Sequence, residues 1–535
     1  MTNSEMCCVV GSGPAGISCA QALVDAGKEV TILDSGLQLE AERRNAIASL
    51  ASTNSSDWTP ATTAFLREGM KAGPSGIPIK VSYGSDFPYR QVPGAPSIAY
   101  DGAYTRPSYA RGGLSTVWGG AVLPYRQEDI ADWPISIADL EPGYRAALGM
   151  MPLSARKDDL SQLFPLYADR YAPLPMSRQA TALLSGLERN REKLNARGIH
   201  FGSSRLTVHA SDSNGKPLCV QCGLCLYGCP HGLIYSTDQT LAKLIATGRV
   251  CYKPDVTVQS FEETASSVVI RGIDHHEAPV EFNASRVFLA AGTLNTTVIL
   301  LRSLQQFDMP VPIRDSPYFV VPLLRFRTTA DVVREPLHTL SQLFLEVIDS
   351  EISPHTIHLQ TYTYNDLFTE PILAKLGPLR KAFPLERFLG RLLLFNGHFH
   401  SFHSASIAAT LRREGQEDTL RIQAVPNPET ERRLSSLVDK FMKLIRETGF
   451  VPLRPMMQLA KPLRSFHFGG TFPMSASPGA QETDILGRPG GLKRVHAVDS
   501  TVLPSIPATT ITLTEMANAY RIGRSSAPDA DMRSE

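Results

Sequence analysis

The sequence predicts an α/β fold (α+β overall), with a parallel sheet near the N-terminus and a second, sheet-containing domain. Residues 6–10 are a short apolar run, residues 14–26 have the spacing of a helix, and residues 29–33 are a second apolar run. A strand, a helix and a strand in this order are the unit from which parallel sheets are built. The chain has 535 residues, too many for one core, since single cores stop growing near roughly 250–300 residues.

Strand-like segments return later in the chain, at residues 250–258, 267–273 and 287–291. Residues 311–461 mix strand patterns (317–328 and 355–364) with a helical pattern at 434–448, and a last helix is expected near Thr512. These patterns predict a discontinuous Rossmann-type domain at residues 1–310 and 462–530, with a cysteine-rich loop at 217–232. The second, substrate-binding domain is predicted at residues 311–461.

The composition excludes several classes of function. Basic and acidic residues number 53 and 52, for a net charge of +1, so no overall field favours nucleic acid. No uncharged apolar stretch is long enough to span a membrane. The N-terminus has no basic region before its apolar run, so no signal peptide is expected and a cytoplasmic location is the prediction. Structural disulfides are rare there, and the eight cysteines therefore need another explanation.

A glycine-rich turn joins the first predicted strand to the first helix. Gly11 permits a tight turn, Gly13 lets a pyrophosphate approach the backbone, and Gly16 lets the helix pack close to the strand. Asp34 ends the second strand, where an acidic side chain accepts hydrogen bonds from ribose hydroxyls. The predicted dinucleotide-binding residues here are Gly11, Gly13, Pro14, Ala15, Gly16 and Asp34.

Four further blocks resemble the glucose–methanol–choline (GMC) oxidoreductases. They are RGGLSTVWGG at 111–120, DWPIS and LEP at 132–142, VFLAAGTL at 287–294, and the loop from Val498 to Ser505. The resemblance implies FAD as the cofactor. It is non-covalent, because Val117 stands where pyranose-oxidase-like members carry the histidine that tethers the flavin. The implied FAD-binding residues are Arg111, Gly113, Ser115, Trp118, Gly119, Gly292, Asp499 and Thr510.

His467 begins the segment HFGGT, which is similar to the histidine motif that faces the flavin and the substrate hydroxyl in this family. A neutral imidazole suits removal of a hydroxyl proton at neutral pH. Thr510 aligns with the position where the family has Asn or His, and its hydroxyl can orient a substrate oxygen but cannot act as a base. His398, His400 and His403 are expected to be sheet residues that contact substrate rather than bind a metal.

Four cysteines lie close together in the sequence, spaced C-x2-C-x2-C-x3-C-P. This spacing is that of bacterial ferredoxins, and it predicts a [4Fe–4S] cluster on Cys219, Cys222, Cys225 and Cys229, or a [3Fe–4S] cluster without Cys229. Zinc is less favoured, because its four-cysteine sites normally use two separated knuckles. Long-chain alcohol oxidases, which this loop also resembles, carry a similar cysteine-rich loop. A loop without a cluster is therefore the alternative. The other cysteines, at positions 7, 8, 19 and 251, are expected to be small buried apolar residues.

The segment from residue 373 to 395 alternates apolar and basic side chains and is broken by Gly377, Pro378 and Pro384. It predicts a lid or substrate-entry segment, with peripheral membrane contact as the alternative. The sequence therefore predicts an FAD-dependent dehydrogenase that oxidises a CH–OH group of a small organic substrate. Its electrons would pass through the cluster to an acceptor protein or a quinone. The alternatives are FAD-dependent non-redox chemistry, such as isomerisation or elimination, and a non-catalytic electron-transfer flavoprotein.

Overall fold

Five short parallel strands form the sheet that carries the glycine-rich turn. The computed structural model describes residues 6–69, 79–212, 214–368, 384–415 and 417–527. In spatial order the strands are Val495–Ala497, Arg286–Leu289, Cys7–Val10, Val30–Leu33 and Val250–Lys253. We call them the dinucleotide sheet. Their side chains are mostly buried, as expected for parallel strands with helices on both faces. The strand–helix–strand start predicted from the sequence is confirmed.

Three helices pack in a row beside the dinucleotide sheet, with the last helix of the chain in the middle. Pro14–Asp25 packs against the last helix, Ile511–Ser526, which also packs against Ile137–Met150. Gly523 allows the first of these approaches, because a Cβ there would lie 2.9 Å from the Cβ of Ala22. The close packing fixes the start of the last helix near the dinucleotide sheet.

The remaining helices connect the sheets or cover them. They are Ala41–Ala51, Pro60–Thr63, Leu160–Leu163, Arg178–Glu188, Arg191–Asn195, Thr237–Ala246, Thr293–Ser303, Leu385–Leu389, Pro428–Lys443 and Ile445–Thr448. Three smaller sheets accompany them. The first contains Val256–Glu263, Val268–Asp274 and Pro279–Ala284; the second Pro310–Pro312, Ser406–Glu414, Glu417–Val425 and Ser97–Asp101; the third Arg314–Asp315 and Phe468–Gly469.

A larger antiparallel sheet forms the second layer, and we call it the large sheet. Its strands in spatial order are Phe450–Pro452, Tyr318–Arg325, Leu392–His398, Ser353–Tyr362, Leu343–Asp349 and Ile199–Ser203, with Gln458–Leu459 also paired to Tyr318–Arg325. One face is apolar and packs against the helices Arg178–Glu188 and Pro428–Lys443. The other face carries polar side chains, because alternate residues of a strand point to opposite faces. The strand Ile199–Ser203 comes from outside residues 311–461, and the domain limits stay a prediction.

Two local predictions differ from the structure. Residues 250–258 form two strands rather than one, because Pro254 and Asp255 (φ 63°) turn the chain from the dinucleotide sheet into an antiparallel sheet. The sequence of residues 35–106 is rich in Ser, Pro and Gly and predicts an irregular segment. In the structure it contains the helix Ala41–Ala51 and the strand Ser97–Asp101.

Residues 373–383 of the predicted lid segment lie outside the described residues. Its described end forms the short helix Leu385–Leu389 and the strand Leu392–His398. Among the helices of the described ranges, none is long and apolar enough to cross a membrane.

Candidate active site

One cavity of about 340 Å³ reaches from the glycine-rich turn to His467. Most of the site residues predicted from the sequence line it. They are Gly11, Gly13, Pro14, Ala15, Asp34, Gly113, Ser115, Trp118, Gly119, Gly292, His467, Asp499 and Thr510. The cavity is therefore lined by residues from the N-terminal, middle and C-terminal parts of the sequence.

The glycine-rich turn forms a cradle at one end of the cavity. Gly11 has φ 101°, and a Cβ there would lie 2.4 Å from the carbonyl oxygen of Ala290. A Cβ on Gly16 would lie 2.0 Å from the carbonyl oxygen of Gly11, so Gly16 packs the helix on the strand and does not line the cavity. A Cβ placed on Gly13 would meet no atom closer than the Cα of Gly113, at 3.9 Å. This is the approach that a phosphate at a helix N-terminus needs.

Asp34 lies beside the turn, and its carboxylate accepts hydrogen bonds from two side-chain hydroxyl groups. Its carboxylate accepts hydrogen bonds from Ser12 and from the hydroxyl of Tyr252, the latter at 3.0 Å. Burial raises the pKa of Asp34 to about 6, so it is largely ionised at neutral pH. The hydroxyl of Ser12 also accepts the N–H of Gly112 at 2.9 Å. Ser12 thereby connects the turn to the loop at residues 111–120, a contact that the motif did not predict.

Arg111 lies behind this end of the cavity rather than in it. Its guanidinium pairs with Asp238 and lies over the ring of Tyr252, 5.1 Å from the centroid. Trp118 and Ser115 do line the cavity. The indole N–H of Trp118 donates to the carbonyl of Tyr235 at 2.7 Å, and Ser115 donates to that of Gly112 at 2.5 Å. The first bond fixes the loop to the backbone of Tyr235, and the second lies within the loop.

Two carboxyl groups line the middle of the cavity. Asp499 accepts the N–H of Gly292 at 2.9 Å and the hydroxyl of Thr296 at 2.6 Å. Glu515, on the last helix, accepts the N–H of Ser500 at 3.0 Å. Burial, with Asp499 nearby, raises the pKa of Glu515 to about 8, so this side chain is mostly protonated at neutral pH. No sequence signal marks Glu515, because it belongs to no motif.

His467 lies at the other end of the cavity, and hydrogen bonds hold both its backbone N–H and its carbonyl. Its N–H donates to the hydroxyl of Ser465 at 2.9 Å, and its carbonyl accepts the N–H of Ser316 at 2.9 Å. Burial, and to a lesser degree His358, lowers the pKa of His467 to about 4. The imidazole is therefore neutral at neutral pH, the state that a general base requires.

His398 supplies a second imidazole beside His467. The two rings stack with their centroids 4.6 Å apart and their planes 22° apart. His398 ends the strand Leu392–His398 of the large sheet. His400 and His403 lie beyond the strand end, where their Nε2 atoms contact the carbonyl of Asp129 and the hydroxyl of Ser353. Of the three neighbouring histidines, only His398 lines the cavity.

Thr510 immediately precedes the last helix and lines the cavity. Its hydroxyl oxygen accepts the N–H of Leu123 at 2.8 Å. A threonine hydroxyl that accepts from the backbone still has its own hydrogen to donate. Thr510 therefore keeps a hydroxyl hydrogen that it can donate to a ligand in the cavity.

Neutral polar side chains of the large sheet roof this end of the cavity, and sequence reasoning missed them. They are Tyr318, Gln360, Tyr362 and Asn396. The Oδ1 atom of Asn396 is buried and has no hydrogen-bond partner among the described residues. The available signal was the alternation of these residues with apolar ones such as Leu359 and Phe395, which pack on the opposite face.

The cysteine-rich loop lies away from the cavity, and none of its four cysteines lines it. The backbone of Cys229 accepts the hydroxyl of Tyr83 at 3.0 Å. Burial, and then the neighbouring Cys229, raise the pKa of Cys222 to about 11 and of Cys225 to about 12. Across the described ranges, no group of three or more His, Cys, Asp or Glu side chains is arranged to hold a metal ion. The donor set does not fit the predicted cluster, which the structure therefore does not support.

Comparisons with known proteins agree with this architecture. The model of an NAD(P)-binding Rossmann-like domain matches residues 9–39. Among curated proteins, none matches the chain. A solved structure of pyridoxine 4-oxidase from Mesorbium loti is similar, with TM-score 0.60 and 15% identity, over 98% of this chain and 99% of that one. A formate oxidase structure is similar with TM-score 0.59 and 13% identity, over 98% and 99%. The predicted fold class, a Rossmann-like part with a sheet-rich second part, is confirmed.

Proposed function

We propose that this protein is a flavin-dependent oxidoreductase of the GMC type that oxidises a CH–OH group of a small organic substrate. One observation carries the proposal. A single cavity is lined at one end by the glycine-rich turn with Asp34 and at the other by the stacked imidazoles of His467 and His398. A dinucleotide held at the first end extends toward a general base at the second.

The residues present fit FAD. Gly13 leaves room for a pyrophosphate at the start of the helix Pro14–Asp25, and Asp34 is placed to accept ribose hydroxyls. Val117 is buried near the cavity and offers no atom for a covalent flavin bond. When bound, FAD supplies the acceptor for the hydride that leaves the substrate carbon. The proposed further contacts to it are Arg111 through its loop, Gly113, Ser115, Trp118, Gly119, Gly292 and Asp499.

The side chains at the His467 end of the cavity remove the substrate proton and orient the substrate oxygen. His467, neutral at neutral pH, accepts the proton of the substrate hydroxyl at a ring nitrogen. Thr510 donates its hydroxyl hydrogen to the same substrate oxygen and orients it, because its own oxygen is already occupied by Leu123. His398 provides the second imidazole that the last helix lacks, and it does so from the large sheet.

The roof of the cavity indicates an uncharged substrate. Tyr318, Gln360 and Asn396 are neutral hydrogen-bonding groups, and the unpartnered Oδ1 of Asn396 calls for a donor on the ligand. Trp118 and Tyr362 add aromatic surface. A small uncharged alcohol with a second hydrogen-bonding group meets these demands. The names of the two similar structures, pyridoxine 4-oxidase and formate oxidase, support a small-molecule substrate; the uncharged class rests on the roof of the cavity, because formate is an anion.

The electron acceptor is proposed without the iron–sulfur relay. Because the four cysteines are not arranged as a ligand set, we derive no step through a cluster. Dioxygen is the first acceptor to test, since both similar structures are named oxidases. A carrier protein or a quinone is the second, and a cytoplasmic location remains part of the proposal.

The test begins with the absorption spectrum of freshly purified protein, which reports bound flavin. Anaerobic mixing with a panel of small uncharged alcohols follows. Bleaching of the flavin supports the proposal. Turnover of a substrate without bleaching would replace it with the non-redox alternative, and a bound flavin that no alcohol bleaches or turns over would favour an electron-transfer role. Protein that binds no FAD would contradict all three.

A further inference from the structure

Ionisable side chains form one row across the large sheet. Glu346 lies directly opposite His358 on the neighbouring strand, His358 opposite His398, and His398 opposite Tyr318. On its other side Glu346 lies opposite His200, on the edge strand Ile199–Ser203. Directly opposite residues of antiparallel strands share one face of the sheet. The row therefore runs from the reaction cavity to the edge of the sheet.

Two inner members of the row, His358 and Glu346, are in contact and shielded from solvent. The Nδ1 atom of His358 lies 2.7 Å from Oε1 of Glu346, and both side chains are 0% exposed. His398 stacks on His467, so the row begins at the proposed general base. A charge in this row cannot be neutralised by bulk water and must be shared among its members.

Consecutive members of the row carry buried ring nitrogens without a partner. These atoms are Nδ1 of His467, Nδ1 of His398 and Nε2 of His358, and none of them has a hydrogen-bond partner among the described residues. Oε2 of Glu346 is likewise buried and unpartnered. Buried polar atoms in native proteins are almost always paired, so a run of unpaired ones in a line calls for a functional reason. Atoms that alternately bind and release a proton provide that reason.

The groups around the acid end favour a proton acceptor. Burial raises the pKa of Glu346, His358 and Arg205 lower it, and Asp129 adds to the increase. At the sheet edge the imidazole of His200 is half-buried, and burial with Arg126 nearby lowers its pKa. These are the charged and titratable groups that face Glu346 from the neighbouring strands and loops. A carboxyl group whose pKa is raised in this way accepts a proton more readily than an exposed one.

We propose that the row of His398, His358 and Glu346 carries the proton that His467 removes from the substrate away from the cavity, with the His358–Glu346 pair as its buried acceptor. The inference rests on the proposed function. In each oxidation the substrate O–H bond breaks and an N–H bond forms on His467, while the hydride leaves the substrate carbon for FAD. The proton then moves through bridging waters to His398 and the pair, and it leaves to solvent at the sheet edge beside His200, so that His467 is again neutral and the pair is reset.

The experiment compares two signals in one anaerobic stopped-flow trace: bleaching of the flavin at saturating alcohol, and proton release to a pH-indicator dye in weak buffer. The variants are Glu346→Gln and His358→Gln. His403→Gln is the matched control, because His403 is also buried, at 2% exposed, but bonds to Ser353 outside the row. FAD content and the melting temperature are measured for each variant.

In the wild type and in His403→Gln, proton release should keep pace with bleaching. In Glu346→Gln and His358→Gln, bleaching should persist in the first turnover while proton release lags by about tenfold or more. Release that keeps pace with bleaching in both row variants would overturn the relay while leaving the oxidation intact. A wild type that no alcohol bleaches would instead overturn the proposed function.

A second variant covers the case in which these substitutions unfold the protein. Glu346→Asp keeps the acid but retracts it by one methylene from Nδ1 of His358. Proton release that lags behind bleaching in this variant supports the relay. Release in step with bleaching, at wild-type FAD content, contradicts it.

Discussion

The imidazole of His398 stacks on that of His467, with ring centroids 4.6 Å apart, although only His398 belongs to the large sheet. His398 ends a strand of the large sheet, whereas His467 directly precedes the strand Phe468–Gly469. The stack explains how the site has two imidazoles even though Thr510 stands where the GMC pattern has Asn or His. It also places the base at the start of the row that leads to Glu346.

Replacing His467 by Ala should slow flavin reduction by roughly 100- to 10,000-fold, the usual contribution of a general base. FAD should stay bound, because His467 lies at the far end of the cavity from the glycine-rich turn. Anaerobic stopped-flow absorbance measures the rate. His496→Gln is the matched control, since His496 is a buried histidine on the dinucleotide sheet whose pKa burial also lowers to about 4. Undiminished reduction in the His467 variant would remove its assigned role.

The rate of flavin reduction should depend on pH only in the acid range. Burial lowers the pKa of His467 to about 4, so the base is neutral above that value and protonated below it. The rate constant should therefore be flat near neutral pH and should fall about tenfold per pH unit once the pH drops below about 4. Rapid pH-jump mixing limits acid unfolding during the measurement. A rate that instead falls as pH decreases through 7 would assign the base to another group.

Thr510→Val should reduce catalysis without removing the base. The loss of the hydroxyl removes the proposed bond to the substrate oxygen and leaves the N–H of Leu123 without its acceptor. One lost hydrogen bond of this kind costs about 1–1.5 kcal/mol, so kcat/KM should fall by roughly tenfold. Thr510→Ser, which keeps the hydroxyl, is the control and should retain most of the activity. A Thr510→Val variant as active as Thr510→Ser would show that the hydroxyl makes no specific contribution.

The affinity for FAD should fall as the pH rises through 8. Burial and the proximity of Asp499 raise the pKa of Glu515 to about 8, so the neutral acid becomes an additional carboxylate in the cavity above that pH. Repulsion between this charge and the FAD phosphates weakens binding. Fluorescence titration of the protein stripped of FAD, at pH 6.5 and pH 9, measures the dissociation constants. Glu515→Gln should abolish the difference, and a pH effect that survives in it would come from another group.

Iron and acid-labile sulfide should be absent from protein matured and purified without oxygen. Among the described residues, the four clustered cysteines are not arranged as a ligand set for a metal. Replacement of Cys225 by Ser should therefore leave the flavin spectrum and the rate of flavin reduction unchanged. Stoichiometric iron and sulfide that disappear in this variant would restore the cluster predicted from the spacing.

The nucleotide end of the site could be predicted from the sequence because its residues are contiguous. Gly11, Gly13 and Asp34 follow one another along a single strand–helix–strand unit, and their positions follow from its geometry. Glu346, His358 and His398 could not be predicted as a row, because their alignment depends on the register of three strands. The spacing of the cysteines predicted a cluster, but spacing alone does not fix where the loop directs its thiols.

The most direct test of the central claim is anaerobic titration of the purified protein with small uncharged alcohols, followed by its visible absorption spectrum. We expect a flavin spectrum that one or more of these alcohols bleaches in the wild type, and we expect the same alcohols to bleach it far more slowly in His467→Ala. A flavin-free protein, or bleaching equally fast in both proteins, would contradict it.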